Sequence, residues 1–574
     1  MKHELSIYDE LGEERKKLQE QGRLPNWVTT IAWQMLKENY LSEAYPDLQS
    51  VYTRVSKHAA TYTNNPEEWE AKFFDLLWSG YLAASTPVLS NMGTGFGCAV
   101  SCSGNTVTDD VYSFYEAQLE VAILSKNGFG TSSYLGNIRP RGSKIAGVKG
   151  SASGVLPVFK DFVQVSRDIS QGSQRRGAWA GYIEIDHADF FELVNHISKN
   201  PDDANIGWII PDAFIERLDN GDGDAIDRYQ KALKMKMITG KGYFFFPGKV
   251  NRLNPQIYRD RGLEVKASQL CSEITLFSGI DPVSGKMYTY SCVLSSMNAS
   301  LYDEWKNTDA VFNATVFLDC VNQDLIEMGR NIPGMEKVVR FADDSRALGL
   351  GLLGFHTYLQ ENSIPFESLD AHYKNTEIFQ HLNKESLRAS EWMAKEFGEP
   401  EWCKGYGVRN THRLAVAPNL SSATICGSVS QGIEPIYKNA YVQNTAAGKV
   451  NRINPTLLQL MKEKDVYSED TISDIIKNSG SVQHVAWLTD DEKQVFKTAF
   501  EINQHVIIRL ASARQKYIDQ AQSINLFFSA EESEEYISEV HKAAFKDPYI
   551  KSLYYIRSES NVNANKSECV SCHG

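Results

Sequence analysis

Ala267-Ser-Gln-Leu-Cys-Ser-Glu-Ile-Thr-Leu276 is the stretch on which the fold turns. Side chains alternate across an extended backbone, so an extended reading puts Gln269, Cys271 and Glu273 on one face and Leu270, Ser272 and Ile274 on the other. A thiol between an amide and a carboxylate supplies a hydrogen-atom or electron donor, a hydrogen-bonding clamp and a general base in one row. The same pattern suits a half-buried strand with a wet polar face, in which Cys271 is a small apolar filler.

Outward from this stretch, glycine-rich and short apolar runs alternate with helical patterns from about 84 to 545. Ala178-Trp-Ala-Gly-Tyr-Ile-Glu-Ile, Tyr243-Phe-Phe-Phe-Pro and Leu348-Gly-Leu-Gly-Leu-Leu-Gly-Phe read as strands within an α/β architecture. Upstream, Asn26-Trp-Val-Thr-Thr-Ile-Ala-Trp-Gln-Met-Leu and Glu67-Glu-Trp-Glu-Ala-Lys-Phe-Phe-Asp-Leu-Leu-Trp carry apolar residues at helical spacing. The reading is a helical region over 1–80, one large α/β domain over 81–545 and a mobile tail over 546–574.

The tail ends in Cys569-Val-Ser-Cys572-His-Gly, preceded by the polar run from Ser558 to Ser567. Two thiols at this spacing on a tether serve as a redox shuttle, as half of a zinc site, or as nothing in particular. The chain has 574 residues, 42% of them hydrophobic, enough for a sizeable core. Nine widely spaced cysteines and no apolar leader after Met1 predict a cytoplasmic protein with thiols, not a disulfide framework. A net charge of −13 argues against general binding to polymeric nucleic acid, and no run of membrane-spanning length is present. Phosphate-bearing ligands then need local loops to hold them.

In order along the chain come Ser85-Thr-Pro, Gly95-Phe-Gly-Cys98-Ala-Val, Ser170-Gln-Gly-Ser-Gln-Arg-Arg-Gly, Leu270-Cys-Ser-Glu-Ile, Ser291-Cys-Val-Leu-Ser-Ser-Met-Asn, Ala417-Pro-Asn-Leu-Ser-Ser, Gly432-Ile-Glu-Pro, Leu553-Tyr-Tyr and the terminal CxxC. By this ordered set the chain resembles the large, catalytic subunit of class I ribonucleotide reductase. The resemblance implies a ten-stranded α/β barrel of two half-sheets with Cys271 on a central finger loop. It implies that Cys271 becomes a thiyl radical and takes the ribose 3′ hydrogen, that Glu273 takes the 3′-hydroxyl proton, and that Gln269 clamps the sugar. Cys98 and Cys292 are then the electron source that closes a disulfide, which Cys569 and Cys572 reduce by exchange. Cys102 is a bystander in this scheme. Tyr554 and Tyr555, otherwise an aromatic pair packed on the core, relay the radical from a partner. That partner is a small metal-containing subunit, and the chain needs no metal of its own.

Further contacts are implied for ribonucleotide substrates, most naturally diphosphates: Thr86, Gly97, Gly128, Leu270, Ser272 and the segment Pro418, Asn419, Leu420, Ser421 and Ser422. This last segment could open a helix whose amides bind a diphosphate. Arg139, Gln171 and Arg175 match positions that hold and report a nucleoside triphosphate effector. Thioredoxin or glutaredoxin as reductant, and a homodimer, complete the expected partners. Gln269 replaces the family's usual asparagine, Leu420 a possible glutamate, and Asn105 or Thr106 an effector-binding aspartate. Cys98 falls too near the N-terminus to leave room for the family's ATP cone, so control through that domain is expected to be missing. The competing readings are a cobalamin-dependent reductase and, more distantly, a zinc protein built on Cys98, Cys102, Cys569 and Cys572.

Overall fold

A computed structural model describes residues 7–169, 178–445 and 448–558. The N-terminal region is helical, as the periodicity predicts: α1 (Ile7–Glu20), α2 (Thr30–Asn39), α3 (Leu48–Ala60) and α4 (Pro66–Trp78). A capping box at Asp47 and Ser50 starts α3, and Pro66 starts α4. Val51, Val55, Phe73, Leu76 and Leu77 fill the space between them and the neighbouring helix Ala310–Gly329.

The barrel begins at β1 (Leu82–Ala84), with α5 (Thr86–Asn91) behind it. Its first half is a set of parallel strands: β2 (Cys102–Thr106), β3 (Gly130–Tyr134), β4 (Trp179–Glu184), β5 (Asn205–Ile209) and β6 (Tyr243–Phe245). The crossovers carry α6 (Val111–Lys126), α7 (Val155–Asp168), α8 (Phe190–Lys199), α9 (Asp212–Asp219) and α10 (Gly223–Thr239). A small hairpin, β7 (Gly279–Ile280) and β8 (Met287–Tyr288), then leads to β9 (Tyr290–Cys292) on the edge of β2.

One residue later the chain enters β10 (Leu294–Asn298) and has changed half-sheets. There β1 lies antiparallel and β11 (Gly349–Leu353) parallel to β10. Bridges Leu350–Leu414 and Val416–Gln522 add two more parallel segments. The opposite seam closes through the short strand Ser552–Leu553, antiparallel to β6, and through Tyr554 N–H to Ile524 O (2.8 Å). The two half-sheets of five expected for the barrel are thus present, joined by short edge segments.

One boundary is corrected. The chain does not leave the core at 546: Ile550, Leu553, Tyr554 and Ile556 are buried and paired through Ser558. These apolar residues belong to the barrel's closing seam, so the barrel runs to Ser558. The tail beyond, with Cys569 and Cys572, lies outside the described residues, as do Gln171 and Arg175.

Candidate active site

The barrel interior is crossed by an irregular loop, 267–276, instead of the extended strand that alternation suggests. Ser272 N–H reaches Gln269 O (3.4 Å), and Ser272 sits at φ 67°, so the chain turns at its tip. Lacking a ladder, the loop's backbone is satisfied by side chains from both half-sheets. Ser132 Oγ donates to Ser268 O (2.8 Å) and Tyr182 Oη to Gln269 O (2.6 Å). Ser523 Oγ donates to Cys271 O (2.6 Å), and Ser552 Oγ to Ser272 O (2.9 Å). Ala521 N–H donates to Glu273 O (2.8 Å), and Thr275 N–H to Gln520 Oε1 (3.1 Å). Gly130 leaves room for the loop, since a Cβ there would stand 2.5 Å from Leu270 Cδ1.

Gln269 turns inward on its own loop: Oε1 accepts from Ser268 Oγ (2.9 Å) and Ile274 N–H (3.1 Å). Glu273 is buried, and loss of hydration pushes its carboxyl up to about 7, opposed by the Gln269 amide and the Ser523 hydroxyl. Ser523 Oγ lies 2.8 Å from Glu273 Oε2. A carboxyl so placed exchanges protons near neutral pH.

The thiols divide into two groups. Cys102, Cys271 and Cys292 share the apolar cluster inside the barrel with Tyr182's ring partner Tyr243 and with Tyr290, whereas Cys98 belongs to the outer core. Cys102 and Cys292 are direct partners across the antiparallel β2–β9 pair. Such partners have Cα atoms about 4.5–5.5 Å apart, within the range a disulfide bridges. Burial raises the Cys292 thiol well above its usual range, with Cys102 and Glu273 adding to the effect. Cys98 instead donates its N–H to Asn127 O (3.0 Å), and burial followed by Asp324 pushes its thiol up to about 12. The structure therefore sets Cys102, not Cys98, opposite Cys292. Strand register decides this, and a four-residue spacing in sequence does not reveal it.

Tyr554 and Tyr555 pack ring on ring, centroids 3.9 Å apart, with Tyr243 5.0 and 5.6 Å away. Tyr243 Oη lies 3.4 Å from Tyr555 Oη, and the Tyr182 ring, whose hydroxyl holds the loop, is 6.4 Å from that of Tyr243. An aromatic series thus joins the closing seam to the Cys271 loop. Sequence reasoning missed Tyr182, Tyr243, Tyr290 and Ser523, which stand in ordinary strand patterns.

The remaining expected contacts fall in two places. Pro418 and Asn419 precede a short helix, Leu420–Ile425, so this segment does open a helix containing Ser421 and Ser422. Asn419 Oδ1 accepts from Ser296 Oγ (3.0 Å) on β10. The α2 helix packs on it, and Tyr40, just past the end of α2, meets Thr86 at 2.9 Å. Gly97 and Gly128 adjoin each other through the Cys98–Asn127 hydrogen bond. Arg139 pairs with Asp109 through Nε (2.6 Å), next to the Asp110 cap of α6. Asn105 is elsewhere, buried with Nδ2 on Glu120 (3.0 Å), and Thr106 bonds Ser278 (2.8 Å). The acidic group near Arg139 is therefore Asp109.

A family model described as the ribonucleotide reductase barrel domain matches residues 100–227, 222–403 and 400–556, and one described as its all-alpha domain matches 27–97. Barrel, internal cysteine loop and matched models together define a ribonucleotide reductase. More narrowly, the chain belongs to the large-subunit family of these enzymes. It is 33% identical to the putative ribonucleoside-diphosphate reductase large subunit of Frog virus 3 (isolate Goorha), over 95% of this chain and 99% of that one. It is 27% identical to the ribonucleoside-diphosphate reductase large subunit of Invertebrate iridescent virus 3, over 94% and 95%. Among solved structures, the Actinobacillus ureae class Id ribonucleotide reductase alpha subunit superposes with a TM-score of 0.85 at 37% identity, covering 95% of this chain and 99% of that one. No helix among the described residues is long and apolar enough to cross a membrane.

Proposed function

We propose that this chain reduces ribonucleoside diphosphates to 2′-deoxyribonucleotides by a radical on Cys271, delivered from a separate metal-containing subunit. The observation that carries the reading is the meeting, inside one barrel, of the Cys271 loop, the Glu273 carboxyl and the Cys102–Cys292 pair. Cys271 as thiyl takes the 3′ hydrogen, and Glu273 takes the 3′-hydroxyl proton. The 2′-hydroxyl then departs as water, with two electrons and two protons coming from Cys102 and Cys292, which close a disulfide. Cys271 returns its hydrogen to the 3′ carbon, and Glu273 returns its proton to the 3′ oxygen. The tail thiols Cys569 and Cys572 reduce the disulfide by exchange and are themselves reduced by thioredoxin or glutaredoxin.

Tyr555 and Tyr554 carry the radical inward in this scheme, and their stacking against Tyr243 supports the route. The Arg139–Asp109 pair supports a triphosphate effector site beside α6. On that helix Val111, Tyr112, Tyr115 and Leu119 form an exposed apolar stripe, which supports a homodimer through this face. The family match gives no support to the cobalamin-dependent or zinc-protein readings. The class I neighbour favours a partner-borne radical.

The test is one turnover without external reductant, in the presence of the radical subunit, followed by peptide mapping. A Cys102–Cys292 disulfide is expected, and Cys98→Ser should leave multiple turnover within about twofold of the parent. Free thiols at Cys102, Cys292, Cys569 and Cys572 together after product has formed would overturn the assignment, and a Cys98–Cys292 linkage would restore the pairing first expected.

A further inference from the structure

All four backbone groups of the tyrosine pair have partners. Tyr554 N–H goes to Ile524 O and Tyr555 O accepts from Leu526 N–H, both ordinary strand bonds across the seam. The other two depend on side chains. Tyr555 N–H donates to Asn525 Oδ1 (3.0 Å), and Tyr554 O accepts from Lys236 Nζ. Lys236 lies in the last turn of α10, fully buried, and its Nζ also donates to Gly242 O (2.9 Å). Gly240, which ends that helix at φ 72°, accepts Ile556 N–H through its carbonyl (3.2 Å). The end of α10 thus grips the chain one residue before and one residue after Tyr555.

A buried lysine needs a reason. Taking an ammonium out of water is costly unless it is compensated; burial lowers this one to about 7 with no carboxylate opposing, and the Phe244 ring lies 5.5 Å from its Nζ. Methionine would fill similar space without that cost but would donate to neither carbonyl. Protonated or neutral, the amine keeps two N–H groups for two carbonyls, so its grip does not depend on its charge.

We infer that Lys236 is a positioning residue for radical transfer, fixing the Tyr554 carbonyl, and with it the Tyr554 ring, against Tyr243 and Tyr555. The inference rests on the relay proposed above. Radical transfer between rings depends on their separation and orientation, whereas the hydrogen bonds of Lys236 go to Gly242 O and Tyr554 O and to none of the residues expected to hold the nucleotide. Loss of Lys236 should therefore reach the rate and spare the affinity.

The experiment uses the full chain with its radical subunit. It compares Lys236→Met, which removes both donors, with Lys236→Gln, which keeps a shorter donor, and runs Tyr554→Phe alongside. Lys236→Met should lower kcat about tenfold or more, with KM for the diphosphate within about twofold and partner affinity unchanged. Lys236→Gln should recover part of that loss. A folded Lys236→Met with parental kcat overturns the inference, as does a KM rise that accounts for the whole defect. Full turnover in Tyr554→Phe would instead remove the relay itself, so the two failures are told apart.

Discussion

The α3–α4 pair and the 267–276 loop are both buried, yet they are held by different forces. In the α3–α4 pair the backbone hydrogen bonds are internal to each helix, and the pair meets the helix Ala310–Gly329 by shape: Phe73 packs on Phe317 at a ring distance of 5.2 Å, beside Trp69 of its own helix at 5.3 Å. The loop has no ladder of its own, and the carbonyls of Ser268, Gln269, Cys271, Ser272 and Glu273 each accept from a donor on the barrel wall. Apolar packing tolerates small exchanges of volume. A polar loop in a dry interior does not tolerate a missing partner, because the group left behind loses both water and protein. The molecule thus puts its stability in one place and its geometry in another.

That contrast can be broken most severely at the loop's tip. Cys271→Ser and Glu273→Gln should each reduce steady-state turnover by at least about a thousandfold while melting temperature and nucleotide affinity stay near the parent's. Near-normal turnover in either would end the assignment. In the parent, kcat should climb as pH rises through about 7, because the base works deprotonated and burial holds Glu273 there. Glu273→Gln should lose that climb. For stability the sign is opposite. The folded-state proton affinity is raised above the ordinary 4.5, so this group's contribution is full below about 4.5 and is lost as pH rises through about 7.

The helical region should respond in the other currency. Phe73→Ala removes a fully buried ring and should cost about 3–5 kcal/mol of stability by denaturant unfolding, with kcat of the folded fraction unchanged. A comparable loss of kcat there would blur the division. The smallest effect tests the seam between the two: Ser523→Ala strips a donor from Cys271 O and from Glu273 Oε2. It should cost about 1–3 kcal/mol and move the midpoint of the pH–rate curve upward, since the carboxylate loses a hydrogen bond that favours it. An unmoved midpoint would show that Ser523 serves only the backbone.

The same division governs how much was legible in the chain. Where packing rules, periodicity suffices: α2, α4, β4, β6 and β11 overlap the runs read as helix or strand. Where long-range polar contacts rule, local pattern misleads. Gln269, Cys271 and Glu273 alternate as a strand would, but Ser272 turns left-handed because Tyr182, Ser523 and Ser552 replace the ladder. Cys102 looked incidental beside Cys98, since its meaning depends on the register of β2 against β9. Residues 550–556 looked like the start of a tail because their partners, β6 and 522–526, lie far back in sequence.

Cys102 and Cys292 stand on adjacent strands of one half-sheet, beside the point where β9 crosses into β10. A bond between them would join two segments that hydrogen bonding already holds together, so it would do little to the barrel's shape. Under the proposed reading, oxidation here would be a chemical mark without a mechanical signal. The spent enzyme would present the same outline as the ready one, and its reductant would have to find the disulfide by search, with no change of form to announce it.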